Sequence, residues 1–184
     1  MAITWANILE WETGKLEEIA NELLEARNGL RKAYEKGNNA RGALQSEGDA
    51  VTAMRTTTST NLASLEHALT NVNGALMAIE GARDGVGHVL AQVNDVLAEA
   101  ATKQCEIDAG GSVQPMASAP KTDLVLIDAY ALAIRVKEII EYADQVDTDL
   151  YHALQDINND HYTDGDGDDN KVIGIPDQAR SNWS

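Results

Sequence analysis

The sequence predicts an all-α fold: an elongated antiparallel helical bundle or hairpin with one very long central helix and an acidic, loop-rich C-terminal tail. Three observations carry this. Apolar residues recur at spacings of three and four along most of the chain. Only 3 of 184 residues are proline, so few positions break a helix. Aromatics are 4% with no Phe, so the core is built from Leu, Ile, Val and Ala. Residues 1–159 form the helical domain on this reading, and residues 160–184 the tail.

Residues 3–13 read as a short helix. Thr4 can cap it, and Trp5, Ile8, Leu9 and Trp11 give it apolar surface. Gly14 then interrupts. From about Lys15 to about Leu44 the apolar positions Leu16, Ile19, Ala20, Leu23, Leu24, Leu30 and Tyr34 follow an amphipathic helix. Gly37-Asn38-Asn39 weakens its end, and Gly48 marks the turn after it.

The third segment is the strongest signal. Leu62, Leu65, Leu69, Val72, Leu76 and Ile79, then Val86, Leu90, Val93, Leu97 and Ala100, alternate spacings of three and four, a heptad seam broken only at Arg83. A helix from about Asp49 to about Glu106 would be roughly 85 Å long. Gly74, Gly81, Gly85 and Gly87 lie inside it, and small residues tolerated in a bundle helix are the favoured reading of them over close helix approach. The run Arg55-Thr-Thr-Thr-Ser-Thr60 is a weak helix former, expected to fray.

Residues 106–121 change character, with a tiny hairpin expected around Gly110-Gly111 and a linker bracketed by Pro115 and Pro120. The fourth helix starts near Thr122. Leu132, Val136, Ile139, Ala143, Val146, Leu150, Ala153 and Ile157 again alternate four and three, and the helix ends near Asn158-Asn159. Helices two and four are expected to pack along helix three, one toward each end.

Charge narrows the function classes. Lys and Arg number 14 against 30 Asp and Glu, a net charge of −16. Nucleic-acid binding needs clustered cations and is disfavoured, as is docking on an anionic membrane. No apolar run approaches the roughly 20 residues of a membrane span. The N-terminus lacks the basic and apolar regions of a signal peptide, so the expected location is secreted without a cleaved leader, or cytoplasmic before export.

Catalytic constellations are absent. There is no Gly-x-Ser-x-Gly, no phosphate loop and no His-x-x-x-His. His67, His88, His152 and His161 are scattered. Cys105, the one cysteine, reads as a small packing residue near the end of helix three. The expectation is a protein that is not an enzyme and has no cofactor. The tail holds the best metal candidate: Asp164, Asp166, Asp168, Asn170 and Asp177 supply alternating hard oxygens for Ca²⁺. Lys171 takes the glycine position of the calcium loop and Pro176 precedes its last ligand, so an acidic linker is favoured over a bound ion.

The order of pieces resembles a known family. Ile8-Leu-Glu-Trp11-Glu-Thr-Gly-Lys-Leu16, a hairpin helix, a very long alanine-rich helix and Gly111-Ser-Val113 precede Ala143-Asp-Gln-Val-Asp147-Thr-Asp-Leu150-Tyr-His-Ala153-Leu154. Over roughly residues 5–158 this is similar to the WXG-like helical N-terminal domains of actinobacterial type VII secretion substrates, toxins and α/β-hydrolase-like proteins. Ser46-Glu-Gly48 stands where that family carries Trp-x-Gly. Only Tyr162 and Asp166 match its Tyr-x-x-x-Asp/Glu export signal. Ile173-Gly-Ile-Pro-Asp-Gln-Ala-Arg180 is similar to the segment leading into the hydrolase-like domain of such proteins, and the resemblance implies either a trimmed or a naturally shortened version without that domain.

The resemblance implies a targeting and interaction domain that docks by helix–helix packing. Its partner would be a small helical secretion protein, a second copy or the secretion ATPase. Trp5, Leu9, Trp11, Ser46 and Gly48 are the expected partner-binding residues. The rival readings are a structural helical rod of a phage or cell surface, and a calcium-binding helical module.

Overall fold

A computed structural model describes residues 3–159 of the chain. Expectations for residues 160–184, including the calcium set Asp164, Asp166, Asp168, Asn170 and Asp177, lie outside the described residues. Within them the fold is all-α, with four helices and one two-stranded sheet.

Helix α1 spans Trp5–Leu9. The Asn7 amide donates to the Thr4 hydroxyl at 3.3 Å, and the Thr4 amide donates back to the Asn7 side chain at 3.1 Å. This reciprocal cap fixes the start. The helix is shorter than the sequence suggests, ending at the Glu10 cap. Helix α2 spans Gly14–Ala43, so Gly14 opens a helix instead of separating two. It also passes through Gly37-Asn38-Asn39 without a break.

Helix α3 spans Asp49–Thr102. The threonine run inside it does not fray. The hydroxyls of Thr56, Thr57, Thr58 and Thr60 each donate to the carbonyl four residues back, at 2.8–3.1 Å. Their polar groups are thereby satisfied without leaving the helix. The helix ends four residues earlier than its periodicity implied, because Gln104 takes φ +56° and turns the chain.

Strand β1, Cys105–Ile107, then pairs antiparallel with β2, Val113–Pro115. Cys105 is thus a strand residue and not a helical one. The Asp108 carboxylate accepts from the amides of Gly110 (2.8 Å) and Ser112 (2.9 Å), and Gly111 closes the turn at φ +84°. Helix α4 spans Asp123–Asn158.

Two compact units divide these elements. One holds residues 3–16 together with Gly81–Leu150. Its core is α1, the second part of α3, the β-hairpin and the first part of α4, with Trp5, Ile8, Val89, Val96, Leu132 and Val136 almost fully buried. The register in α3 differs from the expected seam. Val89 and Val96 are 0% exposed, while Leu97, a seam position, is 38% exposed and Leu90 only half-buried. Several elements cover α3 here, so its buried arc is broader and is rotated relative to a two-helix seam. Gly85 is a second correction. A Cβ there would stand 2.9 Å from Val146 Cγ2, so this glycine permits close approach of α3 and α4 and is not an idle small residue.

The other unit holds Glu17–Glu80 and, among the described residues, 151–159. Leu62, Leu76, Ala78 and Ile79 of α3 are buried, with Ala20 of α2 and Ala153 of α4. Gly37 of α2 sits against the Leu62 side chain, 3.0 Å from where a Cβ would be. The Tyr34 hydroxyl donates to Glu66 at 2.6 Å. The carboxylate that accepts this proton raises the Tyr34 pKa. In the link between α2 and α3, the Arg55 guanidinium donates to the Leu44 carbonyl and, at 3.4 Å, to that of Ser46.

Candidate docking surface

The expected partner-binding residues divide by position. Trp5 is 1% exposed and packs in the core, so it offers a partner nothing directly. Leu9 is 48% exposed on the outer side of α1, and Trp11 is half-buried just beyond it. Trp11 lines a cleft of about 280 Å³ with Leu16, Val86, Val146 and Leu150. Glu10, Glu12, Lys15 and Asp147 supply its polar lining. That volume falls just short of the roughly 300–1,000 Å³ of small-molecule sites and better suits one large side chain. Ser46 and Gly48 are exposed in the link after α2, in the other unit, where Gly48 adopts φ +133°.

A larger apolar surface lies where the sequence reading placed none. The first three turns of α4 are apolar on nearly all sides. Ala129, Leu132 and Val136 are buried on one face. On the opposite side Leu124 (66%), Leu126 (60%), Ile127 (63%), Tyr130 (72%) and Ile134 (44%) face solvent. At 3.6 residues per turn, Leu124, Ile127, Ala131 and Ile134 form one stripe, flanked by Leu126 and Tyr130. The signal was present in the composition of Leu124-Val-Leu-Ile127: a helix apolar all round is either buried on all sides or has a second surface to cover.

Charged groups pin the same part of α4 to α3. The Lys103 ammonium lies 2.9 Å from Glu99 and 3.0 Å from Asp128, and Arg135 also pairs with Glu99. The hydrogen bond from Lys103 holds the Glu99 carboxyl below its ordinary value, against the opposing effect of partial burial. Bonds to Glu99 and then Asp128 raise the Lys103 ammonium. This cluster is a structural clamp, because its cations and anions satisfy one another.

Groups with chemical potential are few. The Cys105 thiol is 1% exposed, and burial, then the Asp128 charge, raises its pKa, which suppresses the reactive thiolate. His88 bonds Gln92 at 2.9 Å and meets Tyr142 edge-on at 5.5 Å. Among the described residues no three His, Cys, Asp or Glu stand together as a metal site. None of the described helices is long and apolar enough to cross a membrane. No family model, curated protein or solved structure matches the chain.

Proposed function

We propose that the chain is a non-enzymatic docking domain that binds protein partners by helix–helix packing, of the kind carried by type VII secretion substrates. The observation that carries this reading is the outward apolar face of α4, Leu124–Ile134, on the side opposite its core contacts. A patch of this kind on a soluble surface marks an interaction site, since each exposed Leu or Ile forgoes about 1.5–3 kcal/mol of burial. An amphipathic partner helix would lay its apolar stripe along this face. Trp11 and its cleft add a second, smaller seat for a partner side chain. The acidic remainder of the surface keeps the domain dispersed and repels acidic competitors. The secretion context itself rests on the sequence resemblance.

The test is export from an actinobacterial host with an intact type VII system. Wild type should reach the medium and should fail to do so when the secretion ATPase is deleted. The variant Leu124→Asp with Ile127→Asp should accumulate inside the cell, with unchanged helicity and at least tenfold less export. Export that ignores both the ATPase and the variant would overturn the reading.

A further inference from the structure

We propose that the occupant of the α4 face is α4 of a second copy of this chain, in an antiparallel, two-fold pair centred on Tyr130. This inference deepens the docking reading and rests on it. Asp123, Ile127, Tyr130, Ile134 and Lys137 recur at spacings of four, three, four and three. That is a short heptad seam with an acid at one end and a base at the other, each seven residues from Tyr130. In an antiparallel pair Asp123 of each copy meets Lys137 of its mate, Leu126 meets Ile134, and the two Tyr130 rings face each other across the axis. A parallel pair would instead set acid on acid and base on base. The seam therefore specifies both the partner and its direction.

Two further observations agree. Residues 121–137 carry three basic and two acidic side chains, in a chain of net charge −16. Two copies that repel elsewhere can approach here. The area fits a weak, reversible pair. From their fractional exposures, Leu126, Ile127, Tyr130 and Ile134, on and beside the seam, present roughly 500 Å² per copy, so a pair would bury at most on the order of 1,000 Å², the size of a transient interface. Among the described residues Lys137 pairs with Glu141 at 3.3 Å, an exposed contact weak enough to exchange. Interfaces at this small end belong to transient complexes, so association is expected in about the micromolar range.

Sedimentation equilibrium of the full chain tests this, with circular dichroism as the control on folding. Wild type should move from monomer to dimer through the micromolar range. Leu126→Asp with Ile127→Asp should weaken the dimer more than a hundredfold. Asp123→Lys and Lys137→Asp should each weaken it roughly tenfold, and the double swap should restore it. A parallel pair has no route to that rescue. A monomer at every concentration overturns the self-pairing, as does a dimer indifferent to these variants or one the double swap does not restore. In each of those cases the export assay still judges the docking reading separately: loss of export in the Leu124→Asp, Ile127→Asp variant then assigns the face to a different helix.

Discussion

The Cβ of Trp5 lies 3.1 Å from where a Cβ on Gly111 would stand. The β-hairpin turn is thereby pressed onto the indole that anchors α1, and Val136 of α4 closes the same spot at 3.3 Å. Gly111 also holds φ +84°, which an L side chain adopts only with strain. Gly111→Ala should lower stability by about 2 kcal/mol from these combined causes. Trp5→Ala should cost more, about 3–5 kcal/mol, because it empties a fully buried site. Chemical denaturation with a tryptophan-independent probe measures both, and an unchanged midpoint for either would contradict the packing.

A Cβ on Gly85 would stand 2.9 and 3.0 Å from the two methyls of Val146, well inside van der Waals contact. Ala would gain about 1 kcal/mol of helix propensity, but valine in a helix is confined to nearly one rotamer and cannot step aside. Gly85→Ala is expected to destabilise by about 1–2 kcal/mol net. Adding Val146→Ala should relieve the clash, so that the double variant is more stable than the two single effects combined would allow. Thermal melts of the four proteins complete the cycle.

The Glu99 clamp gives an acid limb to the stability profile. Its folded pKa is lowered, so its contribution is complete above the ordinary glutamate value of 4.5 and is lost as pH falls through the lower folded value. Lys103 behaves oppositely: its folded pKa is raised, so its contribution is complete below 10.5 and is lost as pH climbs past the folded value. Melting temperature against pH should fall at both extremes. Glu99→Gln should flatten the acid limb and blunt the alkaline one, since it removes the Lys103 partner. A Glu99→Gln profile parallel to wild type would rule the clamp out.

The Cys105 thiol should resist an aromatic disulfide reagent in the native protein and react fully once unfolded, because it is buried and its thiolate is disfavoured. A native reaction at the rate of a free thiol would mean that the hairpin opens readily.

Much of this architecture is written in local sequence. Thr4 and Asn7 specify the cap of α1 whatever lies beyond them. The Gly110-Gly111 pair, with Asp108 before it, specifies the hairpin turn. The near absence of proline and the three-four spacing specify long helices, because both act through backbone hydrogen bonds formed within one segment. Gly85 was legible only as a small residue, since the side chain that needs its space, Val146, is 61 positions away.

Burial is different in kind. Periodicity says that α3 has an apolar face, but Val89 and Val96 are covered while Leu97 is not, and that choice belongs to the neighbours of α3. Trp5 was expected at a docking surface and is in the core because α3, α4 and the hairpin converge on it. The open face of α4 is the reverse case: Leu124, Leu126 and Ile127 are as apolar as any core residue, yet no element of their own unit covers them. The sequence by itself determined which segments are helices and which residues are greasy, since both are properties of a residue and its near neighbours. Only the tertiary structure decided which of those side chains are dry, because desolvation requires a second surface, and folding distributes the available surfaces among competing faces.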